Sequence, residues 1–326
     1  MQLMRLLAVA GVITAAFSIC SESMAQSRPW GEGYIPNLPV VTQDGKTLRF
    51  YDELIKGKIV IISFIYTSCT DICPLTTARL AQVEDKLGDL VGRDIFMLSM
   101  SVDPERDTPQ RLKEYSEAFQ TGPGWTFVTG KAEDIRAINF KFGERSQILS
   151  EHRNEIVLGN DATGEWQRDS AFADVNRLIM TIKALDVKWR NQVHTPERSS
   201  AGNAALAMSD QPGQALFKKI CAPCHTIGVG DRVGPDLRGV TARRERAWLS
   251  AYIQNPARLR AVRDPVALAL AEKYPAVRMP ALGVAQDDAS DLIAYLDTEA
   301  SRLSATQGPS PVGQQNMPHN RDDHLH

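Results

Sequence analysis

Four cysteines carry most of the chemistry this sequence can perform, and they stand in two close pairs far apart in the chain: Cys69 with Cys73, and Cys221 with Cys224. The second pair is followed at once by His225. Cys221-Ala222-Pro223-Cys224-His225 has the spacing of covalent c-type haem attachment, in which two thiols add to the haem vinyl groups and the adjacent imidazole ligates iron. Met279 is the one methionine between His225 and the C-terminal tail, and it stands in Arg278-Met279-Pro280 ahead of a predicted last helix. A thioether there completes His/Met ligation, which raises the iron potential into an electron-transfer range. With both axial positions filled, such a haem shuttles electrons rather than activating oxygen. The first pair has one more residue between its cysteines. Two thiolates one helical turn apart share a metal ion or close a disulfide; soft thiolates select Cu(I), and an imidazole completes a site acceptable to either copper oxidation state. Outside the haem motif and the tail, only His152 and His194 remain, and His152 stands just before the strand candidate Ile156-Val157-Leu158.

These residues need elements to position them. Ile59 to Ile65 is a β-branched, apolar run that reads as a buried strand. It feeds Tyr66-Thr67-Ser68-Cys69-Thr70-Asp71-Ile72-Cys73-Pro74, after which Leu75 to Leu90 has helical spacing. Strand, cysteine pair, helix is the thioredoxin arrangement, where unpaired N–H groups of the helix start lower a thiol pKa. Ile95 to Val102 reads as a further strand, with helices expected from Thr108 and over Asp174 to Lys188. Thr195 to Asn203 lacks apolar periodicity and reads as a linker. Beyond it, helical patterns cover Gly213 to Ile220, Arg244 to Ile253 and Asp287 to Leu303. From Ser304 the chain has little to bury and reads as a disordered tail, in which His319, His324 and His326 beside Asp322 and Asp323 can bind Cu(II) or Zn weakly.

Composition sets the frame. At ~150 residues per domain, 326 residues make about two domains, and 43% hydrophobic with 23% charged residues excludes wholesale disorder and a polytopic membrane protein. A net charge of -2 leaves no electrostatic footprint for nucleic acid. At the N-terminus, Arg5, the apolar run Leu6 to Ile19 and Ser23-Met24-Ala25 read as an export signal cleaved after Ala25, with an uncleaved membrane tether as the alternative. The apolar run is shorter than the ~20 residues of a spanning helix. Cys20 then leaves with the signal, and the mature protein is expected in an oxidising compartment such as the periplasm. The expected plan is a signal over 1–25, an α/β thioredoxin-like domain over 30–193, a linker over 194–209, an all-α domain over 210–303 and a tail over 304–326.

The second domain resembles class I cytochrome c over its whole length. The resemblance rests on the helix before Cys221, on Gly234-Pro235-Asp236-Leu237 and on Ala294-Tyr295-Leu296 in the closing helix. It implies haem c held by Cys221 and Cys224, with His225 and Met279 as axial ligands and the Pro235 carbonyl accepting the second imidazole N–H.

The first domain resembles the Sco/SenC family of copper-binding, thioredoxin-fold proteins of cytochrome c oxidase assembly. Thr67 to Pro74, Ser101-Val102-Asp103-Pro104-Glu105-Arg106-Asp107-Thr108-Pro109 and His152 ahead of the penultimate strand carry the resemblance. It implies that Cys69, Cys73 and His152 bind copper. Asp103 is expected near the site, either orienting the metal or capping the turn into the helix from Thr108. Two function classes follow. One is a copper metallochaperone for the dinuclear copper centre of a haem-copper oxidase, whose fused haem exchanges electrons with the copper or dithiol site and with another redox protein. The other is an enzyme, a thiol-disulfide oxidoreductase keeping the partner's copper-ligand cysteines reduced, in which Cys69 attacks and Cys73 resolves.

Overall fold

The structure is a computed structural model that describes residues 30–145, 148–149, 155–192 and 211–306. The segment read as an export signal, the segment 194–209, His152, His194 and the tail residues His319, His324 and His326 lie outside the described residues.

The N-terminal region is built on one seven-stranded sheet in the order β2-β1-β5-β4-β3-β6-β7. The strands are β1 Pro39–Thr42, β2 Thr47–Arg49, β3 Ile59–Ile65, β4 Ile95–Ser101, β5 Trp125–Thr129, β6 Glu155–Asn160 and β7 Glu165–Ser170. β3, β4 and β5 run parallel, while β1, β6 and β7 pair antiparallel with their neighbours. Four main helices pack on this sheet: α1 Ile72–Leu87, α2 Pro109–Ala118, α3 Ala132–Lys141 and α4 Val175–Lys183. The near-continuous apolar sequence of β3 follows from burial on both faces. Ile61 and Ile65 point into the layer with α1, α2 and α4, whereas Val60, Ile62 and Phe64 point into the layer with α3. The helix expected over Asp174 to Lys188 is two pieces, α4 and the short α5 Val187–Arg190, because Asp186 caps a new start by accepting the Lys188 N–H.

The C-terminal region is helical: α6 Gln214–Leu216, continued by a wider turn over Phe217–Cys221, then α7 Val240–Arg243, α8 Arg246–Gln254, α9 Pro256–Ala261, α10 Pro265–Lys273 and α11 Gln286–Thr306. α11 runs to Thr306, into the stretch read from sequence as tail. Its core joins Phe217 to Ala289, Leu292, Tyr295 and Leu296, with the Phe217 and Tyr295 ring centroids 5.4 Å apart. Gly213, at φ +81, lies where a Cβ would strike the Asp291 carbonyl of α11, so glycine lets the two terminal helices cross closely. No helix of the described residues is long and apolar enough to cross a membrane.

Candidate functional site

The loop after β3 carries Cys69, and Asp107 holds it from below. One oxygen of Asp107 accepts the Thr67 backbone N–H at 3.0 Å and the Thr67 hydroxyl at 2.6 Å; the other accepts the Ser101 hydroxyl at 2.7 Å. Asp107 is 0% exposed, and burial pushes its carboxyl above the ordinary range despite these donors. Asp103, singled out from sequence, stands at the turn into α2, where its carbonyl accepts the Arg106 and Asp107 N–H groups. It pairs with Arg106 at 3.2 Å, and the cap of α2 is Thr108, whose hydroxyl accepts the Arg111 N–H.

α1 begins at Ile72 without a side-chain cap from Asp71. The Cys69 sulfur takes that role, accepting the Cys73 backbone N–H at 3.4 Å. Negative charge is favoured at a helix start. The Cys69 thiol is accordingly lowered to about 5, first by a hydrogen bond from the Cys73 thiol and then by the Cys73 and Asp71 backbone N–H groups. Cys73 is driven strongly upward by giving that bond and by burial. Tyr66, raised chiefly by burial, hydrogen-bonds Cys69 as well. Near neutral pH the pair is therefore one thiolate and one thiol sharing a proton. Both residues are buried, Cys69 at 7% and Cys73 at 1% exposure. Among the described residues no group of three Cys, His, Asp or Glu side chains forms a metal cluster, and His152 lies outside them.

The second pair lines an apolar cavity of about 290 Å³, with His225 and Met279 also on its wall. Several observations test whether a haem fits there. His225 Nδ1 lies 2.9 Å from the Pro235 carbonyl, which leaves Nε2 as the ring nitrogen with a lone pair for iron. Burial lowers the His225 pKa, so the ring is held neutral, as a ligand must be. A Cβ on Gly234 would come within 2.6 Å of the imidazole, so glycine there makes the cradle for the ring. Trp248 Nε1 is buried without a hydrogen-bond partner, and its side chain lines the same cavity with Arg243, Arg244 and Arg260. An orphaned donor among guanidinium groups suits an anionic group, such as a propionate, in an otherwise apolar cavity. The residues present fit a haem. Cys221 and Cys224 are both raised to about 12 by burial.

The two sites meet. Leu75, two residues past Cys73 on α1, lines the same cavity as His225 and Met279. Val233 and Val277, from the loops flanking Gly234-Pro235 and Arg278-Met279, are buried in the cluster that contains Cys69 and Cys73, and Cys224 packs against it. At the rim Arg232 pairs with Asp85 of α1 at 2.5 Å. Neither Asp107 nor these contacts was singled out from sequence. Asp107 lay in a quoted motif, but its partner Thr67 comes from another loop, and no local pattern marks a pair as far apart as Asp85 and Arg232.

Comparison with known proteins places residues 36–161 in the SCO1/SenC family model and residues 211–299 in that of cytochrome c. The chain is 37% identical over 99 residues to "Protein SCO1 homolog 1, mitochondrial" of Arabidopsis thaliana, covering 30% of this chain and 28% of that protein. It is 36% identical over 92 residues to "SCO1 protein homolog" of Bacillus subtilis, covering 28% and 46%. It is 31% identical over 141 residues to "Putative copper-binding protein" of Stutzerimonas stutzeri, covering 40% and 67%. The chain thus spans less than half the length of the first two relatives.

Proposed function

From a chain that belongs to the SCO1/SenC family through residues 36–161 and carries a cytochrome c domain over residues 211–299, we propose a copper metallochaperone that serves assembly of the dinuclear copper centre of a haem-copper oxidase. In this reading a fused c-type haem exchanges electrons with the Cys69 and Cys73 site. One observation carries it: the element that bears the sulfur pair, α1, also walls the haem cavity through Leu75, and Val233 and Val277 of that cavity are buried in the same apolar cluster as Cys69 and Cys73. The name of the Stutzerimonas relative supports copper as the cargo.

The chemistry of each residue follows. Cys69, already a thiolate, is the first donor to an incoming copper ion. Copper binding then displaces the proton held between the two sulfurs, so Cys73 becomes the second thiolate. His152 supplies a third donor, which Cu(II) needs more than Cu(I) does. His225 and Met279 would ligate the haem iron, Cys221 and Cys224 would anchor the haem covalently, and the Pro235 carbonyl holds the His225 ring. A haem held there would supply one-electron chemistry, one electron passing between it and the copper carried by Cys69 and Cys73. Release passes the copper to thiolates of the acceptor subunit, and a second redox protein resets the haem. The export signal puts this work in the periplasm, with cleavage after Ala25.

The asymmetry of the thiol pair favours a second reading. A thiolate at Cys69 and a protonated Cys73 suit a dithiol reductase, in which Cys69 attacks a partner disulfide and Cys73 closes the internal disulfide, two electrons passing to the partner. His152→Ala separates the two. A chaperone loses Cu(II) affinity at least ~10-fold and fails to support oxidase assembly when copper is scarce, while reduced Cys69 and Cys73 attack a model disulfide at an unchanged rate. Normal assembly by that variant would leave the reductase.

A further inference from the structure

We propose that the surface around Cys69 and Cys73 is a docking face for one partner at a time, occupied at rest by the chain's own haem-crevice face. A copper donor or acceptor then reaches the thiols only after displacing the cytochrome domain. The inference rests on the copper reading above and adds what controls access to that site.

Three observations carry it. Val233 and Val277 are 6% and 9% exposed, yet neither belongs to the core of its own region around Phe217 and α11; both are buried in the cluster of the Cys pair. They flank the two stretches that bear the imidazole support and the thioether, Gly234-Pro235 and Arg278-Met279, so it is the haem-crevice face that packs against the cluster of the Cys pair, and Leu75, two residues past Cys73, lines the haem cavity from the other side. Removing apolar side chains from water drives such contact without directional bonds, which lets the face be exchanged for another apolar surface. Second, the contact continues along α1 to its far end, where it is complementary in charge, Arg232 on the haem side pairing with Asp85. A competing partner should therefore present an apolar rim and a lysine or arginine toward Asp85. Third, copper passes between proteins by ligand exchange, so an incoming thiolate must touch the metal. Cys69 and Cys73, residues only 7% and 1% exposed, admit no such ligand while the domains are docked. Because both domains belong to one chain, the resident face competes at high effective concentration, and displacement needs a specific partner rather than a stray thiol. Electron exchange thus belongs to the docked arrangement and copper transfer to the displaced one.

The test uses the full haem-loaded chain, copper-free and reduced, with N-ethylmaleimide as the probe and mass spectrometry to read modification of Cys69 and Cys73. Cys221 and Cys224 are consumed by haem attachment. The wild type should react slowly. Arg232→Glu places two carboxylates at the rim and should speed modification about tenfold, and pairing it with Asp85→Arg should restore the slow rate. Asp85→Arg alone, which sets two guanidinium groups against each other at that contact, should act in the same direction. An unchanged haem absorption spectrum in each variant shows that the cytochrome domain is intact. Rapid labelling of the wild type, or slow labelling of both Arg232→Glu and Asp85→Arg, overturns the proposal. The two readings fail separately: labelling that follows the charge swap while Cu(I) never reduces the haem upholds the docking and removes electron exchange, whereas unprotected thiols with intact electron exchange remove the docking alone.

Discussion

Cys69 and Cys221 each stand one turn of chain ahead of a second cysteine, but their sulfurs meet different surroundings. Cys69 faces the open N–H groups of a helix start and the thiol of Cys73, and is lowered to about 5. Cys221 and Cys224 face an apolar cavity whose main effect is to withhold water from a charge, and both are raised to about 12. Spacing alone therefore does not set the chemistry of a cysteine pair. The hydrogen-bond donors around the sulfur do: the first pair is poised for metals and disulfides, and the second stays neutral until it is consumed by a covalent bond.

The comparison can be broken most severely at the second pair. Replacing Cys221 and Cys224 with serine should abolish acid-stable haem attachment, so that acid-acetone extraction removes all haem, while the same change at Cys69 and Cys73 should leave attachment complete. Next in size is Cys73→Ala. It removes the thiol donor to Cys69, and the midpoint for Cys69 alkylation, followed against pH in the copper-free chain, should move up from about 5 toward the ordinary thiol value of ~8.5. A midpoint that stays put would mean the backbone N–H groups alone hold the thiolate.

Asp107→Ala should cost about 3 kcal/mol in urea unfolding, because buried donors on Thr67 and Ser101 lose their acceptor. It should also loosen the Cys69 loop, read as faster alkylation. The smallest effect is expected at the far end of α1. Burial raises the Glu84 carboxyl to about 7, and the Gly122 N–H it accepts only partly offsets this. The unfolded chain releases that proton near ~4.3, so between there and about 7 the folded state holds a proton the unfolded state has lost, and stability falls as pH rises through this window. Glu84→Gln keeps an acceptor for Gly122 and should remove the fall, gaining ~1 kcal/mol at pH 8 and nothing at pH 4 once partial solvation is allowed for.

Much of this was legible in the sequence because it is local. β3 was expected over Ile59 to Ile65 and forms there, and the attachment motif, His225 and Met279 line one cavity. α9 and α10 were missed although signals were present. Asn255-Pro256 and Asp264-Pro265 each put a capping side chain before a proline at the first helical position, and both side chains accept the expected N–H, from Arg258 and Ala267. The role of Asp107 was not legible, because hydrogen bonding to Thr67 depends on how two loops meet above β3 and β4. The burial of Val233 and Val277 in the cluster of the Cys pair was hidden for the same reason: tertiary contact between separate regions leaves no periodic trace in either one.

The central claim, that copper at Cys69 and Cys73 exchanges electrons with the haem of the same chain, is tested most directly by adding one equivalent of Cu(I) anaerobically to the ferric, copper-free protein and following the haem absorption. The account predicts conversion toward the ferrous spectrum, one electron per copper at most, at a rate independent of protein concentration and lost when Cys69 and Cys73 are both serine. A haem that stays ferric, or one reduced equally fast without those two cysteines, would contradict it.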